Sequence, residues 1–218
     1  MTASSRLRQE NGFTLVELLV ASVCTMIVLG GAVALTSQIQ SGYRRQLEDS
    51  AGEQEARYAL EWIGRYLRGA GNNPFNVTES DCPGVNTTFF GIIMDPNGDG
   101  ENDDITVQSD VNPPDGMIGG VSPACDQTNE HVTISFDSAN STIVFLDEAV
   151  GASATTRTDS VIGGLEFVYL DSTRTVTSVQ ADVFYVQTRI TIRTRTIDAS
   201  IGAPNTRVLT REIRVRGR

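Results

Sequence analysis

The stretch that decides the fold is FTLVELLVASVCTMIVLGGAVAL, residues 13–35. As a helix it would span roughly 34 Å at about 1.5 Å per residue, which matches a bilayer core of about 30 Å. It also carries a carboxylate, Glu17, close to its start. A charge inside hydrocarbon costs about 2.5 to 3.5 kcal/mol on insertion scales. Glu17 therefore indicates either a functional group within the membrane or a charge at the level of the lipid headgroups.

The residues before this stretch allow two interpretations. MTASSRLRQENG, residues 1–12, is short and polar and carries Arg6 and Arg8. A basic segment before an apolar run is typical of a secretory signal, and residues 32–34 supply an Ala-x-Ala cleavage pattern. On this interpretation the mature protein is secreted and has lost its apolar segment.

The junction between the two segments favours the other interpretation. GFTLVE, residues 12–17, resembles the processing motif of type IV prepilins and of the pseudopilins of type II secretion. The resemblance implies that a prepilin peptidase cuts between Gly12 and Phe13, that the new N-terminus is methylated, and that the apolar helix is retained. It also implies that Glu17 pairs with the N-terminal ammonium of Phe13 in a neighbouring subunit. A carboxylate in lipid requires such a cation.

A second, amphipathic half extends the predicted helix over residues 37–71. Gly69, Gly71 and Pro74 mark its end. Residues 54–71, QEARYALEWIGRYLRGAG, resemble the end of the long helix in PilW-like minor pilins and J-type pseudopilins. Several glycines interrupt the helix, and they permit either bending or close packing. The apolar positions near helical spacing are Ile39, Tyr43, Leu47, Ala51, Tyr58, Trp62, Ile63, Tyr66, Leu67 and Ala70.

Short strand patterns replace the helical period from residue 76 onward. The predicted strands are DITVQ, HVTISFD, TIVFLDE, LEFVYLD, VFYVQTRITIRTRTI and RVLTREIRVR. The last three resemble the antiparallel sheet of a pilin head. In the longest, alternation places Phe184, Val186, Ile190 and Ile192 on one face and Gln187, Arg189, Arg193 and Arg195 on the other. We expect the apolar face to lie on the amphipathic helix half.

These patterns predict an α+β, type IV pilin-like fold with a long N-terminal helix packed on an antiparallel β-sheet head. The predicted organisation is a leader peptide over residues 1–12, a transmembrane helix half over 13–36, an amphipathic half over 37–71 and an extracytoplasmic β-rich head over 72–218.

Composition restricts the partners and the compartment. The formal net charge is −10, which repels bulk nucleic acid. Cys24 lies in the apolar run, whereas Cys82 and Cys125 lie beyond it. If that region is extracytoplasmic, Cys82 and Cys125 form the natural disulfide; free thiols or a metal pair are the alternative.

An acidic stretch, DPNGDGENDD at residues 95–104, predicts a metal site. It resembles the first half of a D-x-[DN]-x-D-G calcium loop, since Asp95, Asn97 and Asp99 alternate before Gly100. Thr106 stands where an EF-hand needs glutamate, which excludes a full EF-hand. The expected cofactor is calcium, and a hydrated acidic turn is the alternative. The remaining ligands would be one or both of Asp103 and Asp104 and a carbonyl near Glu101.

Signatures of enzymes are absent from the sequence. The single histidine, His131, lies in a strand pattern and is expected to be structural. The basic residues on the outer strand face lack interleaved aromatic residues, so we expect a solvated or subunit-facing surface and not a nucleic-acid site. They are Arg189, Arg193, Arg195, Arg214 and Arg216.

The sequence therefore predicts a non-catalytic minor pilin subunit of a type IV pilus, which primes assembly or sits at the filament tip. Its expected partners are prepilin peptidase, other major and minor pilins, the inner membrane and a tip adhesin. It would reside in the inner membrane as a single-pass protein before it joins a pilus on the cell surface. The alternatives are a J-type pseudopilin of type II secretion and, in another class, a secreted calcium-dependent binding protein.

Overall fold

The computed structural model of the chain describes residues 12–76, 88–112, 114–119, 127–148, 153–198 and 203–215. Within these residues, one α-helix, α1 (Leu15–Gly69), precedes eight strands, and a short 3-10 helix spans Gln180–Asp182. The chain divides into two compact units, Met1–Gln46 and Leu47–Arg218, and α1 runs through both. The strands are β1 (Ile92–Met94), β2 (Asp104–Gln108), β3 (His131–Asp137), β4 (Thr142–Asp147), β5 (Thr155–Thr156), β6 (Ile162–Leu170), β7 (Tyr185–Asp198) and β8 (Ala203–Arg214).

The strands form two antiparallel sheets. The first has the order β1-β2-β3-β4-β5, and the second has the order β6-β7-β8. Neighbours in space are neighbours in sequence within each sheet, as short hairpin connections favour. The predicted α+β, type IV pilin-like fold is confirmed, including the three-stranded sheet at the C-terminal end.

Among the described residues of the second unit, α1 and both sheets contribute to the main hydrophobic core, and Ile118 forms a small second cluster with Phe89 and Met117. Val186, Ile190 and Ile192 of β7 are buried, as the predicted alternation requires. A Cβ atom added at Gly52 would lie 2.7 Å from Ile192 Cγ2, and one added at Gly64 would lie 2.8 Å from Ile213 Cδ1. The apolar face of the second sheet therefore packs on the amphipathic helix half, and these two glycines serve close packing.

The buried face of α1 differs in part from the predicted one. Trp62, Ile63, Leu67 and Ala70 are buried as expected, but Tyr58 is 56% exposed. The prediction for Tyr58 was wrong because the buried side of the helix passes beside it, through Ala59 and Ile63. The predicted apolar positions Ile39, Tyr43 and Leu47 are exposed as well, since the buried residues of α1 begin only at Gly52. The buried residues of the helix are Gly52, Ala56, Ala59, Leu60, Trp62, Ile63, Gly64 and Leu67.

Candidate functional site

The start of α1 is built around a reciprocal pair of hydrogen bonds between Thr14 and Glu17. The Thr14 backbone N–H donates to Glu17 Oε2 at 3.0 Å, and the Thr14 hydroxyl donates to the same oxygen at 3.0 Å. The Glu17 backbone N–H donates to Thr14 Oγ1 at 3.3 Å. This is a capping box, which satisfies backbone donors that the first helical turn leaves without partners. Glu17 thus has a local structural role in addition to its charge.

Thr14 is the site residue that the sequence reasoning missed. The signal was present as Thr-x-x-Glu directly before an apolar run, which is the usual sequence form of a capping box. Because the pair holds the Glu17 side chain against the first turn, Thr14 sets where the carboxylate lies. Any partner of Glu17 must approach it at the helix start.

The predicted processing bond, between Gly12 and Phe13, lies outside the helix. The helix begins at Leu15, and the Phe13 side chain is 88% exposed. Among the described residues, no heavy atom beyond those of Gly12 and its chain neighbours lies within 4 Å of a Cβ atom built on Gly12. A bond in non-helical, uncovered chain can enter the active site of a peptidase without unfolding the helix that follows it.

The apolar part of α1 is uncovered in this structure. The helix contains an 18-residue window with a mean hydropathy of 2.4, none of which is buried. Its length and composition allow it to cross a membrane once. An exposed apolar surface of this size indicates contact with lipid or with other subunits. The large exposed side chains in this apolar part of α1 include Leu18, Leu19, Val20, Met26, Ile27, Val28 and Leu29.

The predicted calcium ligands lie in the turn between β1 and β2. Asp95 organises this turn, since its Oδ1 accepts the N–H groups of Gly98 at 2.8 Å and Asp99 at 3.1 Å. Its Oδ2 accepts the Gly100 N–H at 3.0 Å. Gly98 and Gly100 have φ angles of +73° and +85°, a region that favours glycine. The turn thus folds back on the Asp95 carboxylate.

Asn97 and Asp99 face the same turn. The Asp99 N–H donates to Asn97 Oδ1 at 2.9 Å, and the Asn97 amide group donates to Asp99 Oδ2 at 3.0 Å. Asp99 Oδ1 accepts the Glu101 N–H at 2.8 Å. Asp95, Asn97 and Asp99 are therefore brought together, whereas Glu101 is exposed and takes part through its backbone.

Asp104 closes the turn as the first residue of β2. Burial raises the pKa of its carboxyl group to about 6, and the neighbouring acids Asp103, Asp95 and Asp99 add to the increase, against the hydrogen bond from Asn97. Burial also raises the pKa of Asp103, together with the charges of Asp99 and Glu101. In the described part of the chain, no three His, Cys, Asp or Glu side chains converge as a ready metal-holding group.

His131 is a structural residue by its surroundings. It is 7% exposed at the start of β3, and its Nδ1 atom is buried with no hydrogen-bond partner. Desolvation lowers its pKa to about 4. The adjacent Glu130 is also buried, but it accepts the N–H groups of Val111, Asn112 and Gly119 and so holds the segment before β3 in place.

Because the His131 side chain is buried, we expect the protein to lose stability in mild acid. Since its folded-state pKa of about 4 lies below the usual 6.5, the unfolded chain binds the proton first as the pH falls, and stability is lost between pH 6.5 and pH 4. Between pH 7 and pH 4.5 the free energy of unfolding should fall by roughly 2 kcal/mol more in the unmodified protein than in the His131→Gln variant. Denaturant unfolding of both chains in detergent micelles, followed by Trp62 fluorescence, measures this difference. Asp104 and Glu130, whose pKa values are raised, act in the opposite direction in both chains. Equal acid sensitivity of the two chains would contradict the assignment.

The arginines of the second sheet are partly paired. Arg189 contacts Glu166 at 3.2 Å, and Arg207 of β8 contacts Glu53 of α1 at 3.4 Å. Arg193 is exposed. Both ion pairs join surface groups, where water screens the charges, so they contribute little to stability. The Arg195 side chain, Arg216, Cys82 and Cys125 lie outside the described residues, so the disulfide stays a prediction; Cys24 is a free, exposed cysteine on α1.

Comparison with known protein families finds one motif at the start of the chain. The family model described as the prokaryotic N-terminal methylation motif matches residues 7–33. The match spans the Gly12–Phe13 bond, Glu17 and most of the apolar stretch. Neither the curated proteins nor the solved structures contain a match. The chain thus carries the methylation motif of prokaryotic prepilin-type proteins, which supports a pilin or pseudopilin role.

Proposed function

We propose that this chain is a non-catalytic, PilW-like minor pilin that joins a type IV pilus through its N-terminal helix. The observation that carries the proposal is the contrast between the two parts of α1. The part that holds the methylation motif exposes its apolar surface, whereas the part from Gly52 to Leu67 is packed on the sheets. An uncovered apolar helix that lies within a prepilin motif is suited to contact with lipid or with other subunits.

The two environments of a pilin account for the uncovered helix. Before assembly, lipid of the inner membrane would surround it, with the β-rich head on the extracytoplasmic side. After assembly, the helices of other major and minor pilins would replace the lipid. The Glu17 carboxylate would then form an ion pair with the N-terminal ammonium group of Phe13 in a neighbouring subunit, because a buried carboxylate needs a nearby cation.

The proposed route begins with prepilin peptidase. Mature protein isolated from its membrane should begin at an N-methylated Phe13, because the bond before Phe13 lies in uncovered, non-helical chain directly after Gly12. Intact-mass and N-terminal analysis of the purified chain measure this. Gly12→Val should leave the leader attached, whereas Ala34→Val, which alters only the alternative Ala-x-Ala site, should be processed normally. A mature chain beginning at Leu35 would instead identify a secreted protein with a cleaved signal.

The site of incorporation distinguishes the two pilin-like systems. As a minor pilin that primes assembly or sits at the tip, the chain should appear in sheared surface filaments at a low ratio to the major pilin. Deleting its gene should reduce piliation. Loss of protein secretion with normal piliation would assign it instead as a J-type pseudopilin. A tip position would also place it next to an adhesin, which cross-linking in sheared filaments can detect.

A further inference from the structure

We propose that the turn at residues 95–104 binds a calcium ion, with the buried Asp104 carboxylate as its anchor. The proposal concerns the β-rich unit alone and does not depend on the filament role of the helix. It joins two separate observations: an acidic turn that folds back on the Asp95 carboxylate, and a buried carboxylate oxygen of Asp104 for which the described residues supply no hydrogen-bond partner.

The Asp104 carboxylate is buried at the base of the turn. The residue is 2% exposed, and the Asn97 N–H donates to its Oδ2 atom at 3.3 Å. Its Oδ1 atom is buried and has no hydrogen-bond partner among the described residues. Since Oδ2 bonds to the turn, the carboxylate faces the loop that Asp95 organises. Leaving a charged oxygen buried and unpartnered is costly, and such an atom requires a proton or a cation.

The groups around the Asp104 carboxylate are negatively charged, and the described residues place no cationic side chain in an ion pair with the turn. Among the described residues, no arginine forms an ion pair with any acid of the turn. The charges of Asp95, Asp99 and Asp103 all act unfavourably on an ionised Asp104. A divalent cation removes this repulsion and gives the buried Oδ1 atom its missing partner.

The donor set favours calcium over other divalent ions. The available donors are carboxylate, amide and backbone carbonyl oxygens, and the described turn contains neither histidine nor cysteine. Calcium accepts six to eight oxygens in flexible geometry, at about 2.3 to 2.6 Å, whereas magnesium demands a near-ideal octahedron. Because the side chains are not converged beforehand, the ion would draw Asp95, Asn97, Asp99 and Asp103 towards Asp104. A carbonyl near Glu101 would contribute as well.

The experiment compares the full chain in detergent micelles with calcium and with chelator. At calcium about a hundredfold above its Kd, the thermal midpoint should rise by about 5 °C or more, while equimolar magnesium should produce a smaller shift. Isothermal titration should give one calcium ion per chain. Asp99→Asn should weaken binding at least about tenfold, since it removes one ligand charge.

Asp104→Asn tests the anchor directly. Removing a buried charge that lacks a partner should raise the midpoint in chelator, and removing the anchor should abolish the calcium shift. A misfolded variant would lower the midpoint instead, so the two effects together identify the site. The matched control is Asp171→Asn, because Asp171 is a turn carboxylate that also accepts backbone N–H groups, from Thr173 and Thr175. It should keep the full calcium response.

Two outcomes would overturn the proposal. Equal midpoints in millimolar calcium and in chelator would mean that a proton on Asp104 satisfies the buried oxygen and that the turn is only hydrated. A calcium shift that persists unchanged in both Asp99→Asn and Asp104→Asn would place the ion elsewhere. Neither outcome changes the N-terminal processing at Gly12, so the filament role is tested separately.

Discussion

Replacing Glu17 by glutamine should leave the chain in the membrane but reduce its recovery in filaments by about a hundredfold or more. A buried ammonium left without its carboxylate costs about 3 to 5 kcal/mol, which is the expected loss for the helix-to-helix pairing with Phe13. Glutamine is chosen because its side-chain oxygen can still accept the Thr14 N–H and hydroxyl donors seen in the capping box. The variant therefore removes the charge and keeps the cap. Quantitative immunoblotting of membranes and of sheared filaments measures both pools.

Thr14→Ala is the matched control, because it weakens the helix cap and keeps the charge of Glu17. It removes the hydroxyl that contacts Glu17 and keeps the carboxylate, so it should lower the stability of the helix start by about 1 kcal/mol and leave most incorporation intact. If Glu17→Gln assembles as well as the unmodified chain while Thr14→Ala does not, Glu17 acts as a helix cap and not as an assembly charge.

Trp62→Ala should cause a large loss of stability in the second unit, about 3 to 5 kcal/mol. Trp62 is 5% exposed, and its ring meets that of Phe145 on β4 edge to face, with centroids 6.1 Å apart. A second edge-to-face contact joins it to Tyr66 at 6.4 Å. Truncation would leave a cavity between the helix and the first sheet. Thermal and denaturant unfolding followed by circular dichroism give the change in the free energy of unfolding.

Two further variants separate packing from other causes. Tyr58→Ala removes a large aromatic ring one turn away on the exposed side of α1 and should change stability by less than about 0.5 kcal/mol. Trp62→Phe keeps an aromatic ring and deletes the indole N–H, which is buried without a partner, so it should cost far less than the alanine variant. Similar losses in Trp62→Ala and Tyr58→Ala would show that this face of the helix does not support the sheets.

The sequence by itself determined the long helix and six of the eight described strands, whereas the short strands β1 and β5 were not predicted. An unbroken apolar run followed by an amphipathic pattern predicted one long helix, and α1 extends from Leu15 to Gly69. Strict alternation in β7 identified its buried face, and the glycine and acid on either side of Phe13 indicated the methylation motif. These features depend on local periodicity and on short motifs, which are readable without knowing what packs against them.

Only the tertiary structure decided which surfaces meet. It placed Gly52 and Gly64 against isoleucines of the second sheet and left Tyr58 outside, although all three lie on one amphipathic helix. It also buried every residue of β2, polar and apolar, so that Asp104 is shielded from solvent, whereas Asp99 and Glu101 in the turn are exposed. The physical reason is that burial depends on contacts between residues far apart in the chain. The carboxylate of Asp104 is unusual because of the strands around it, and its sequence neighbours alone would have made it an ordinary turn acid.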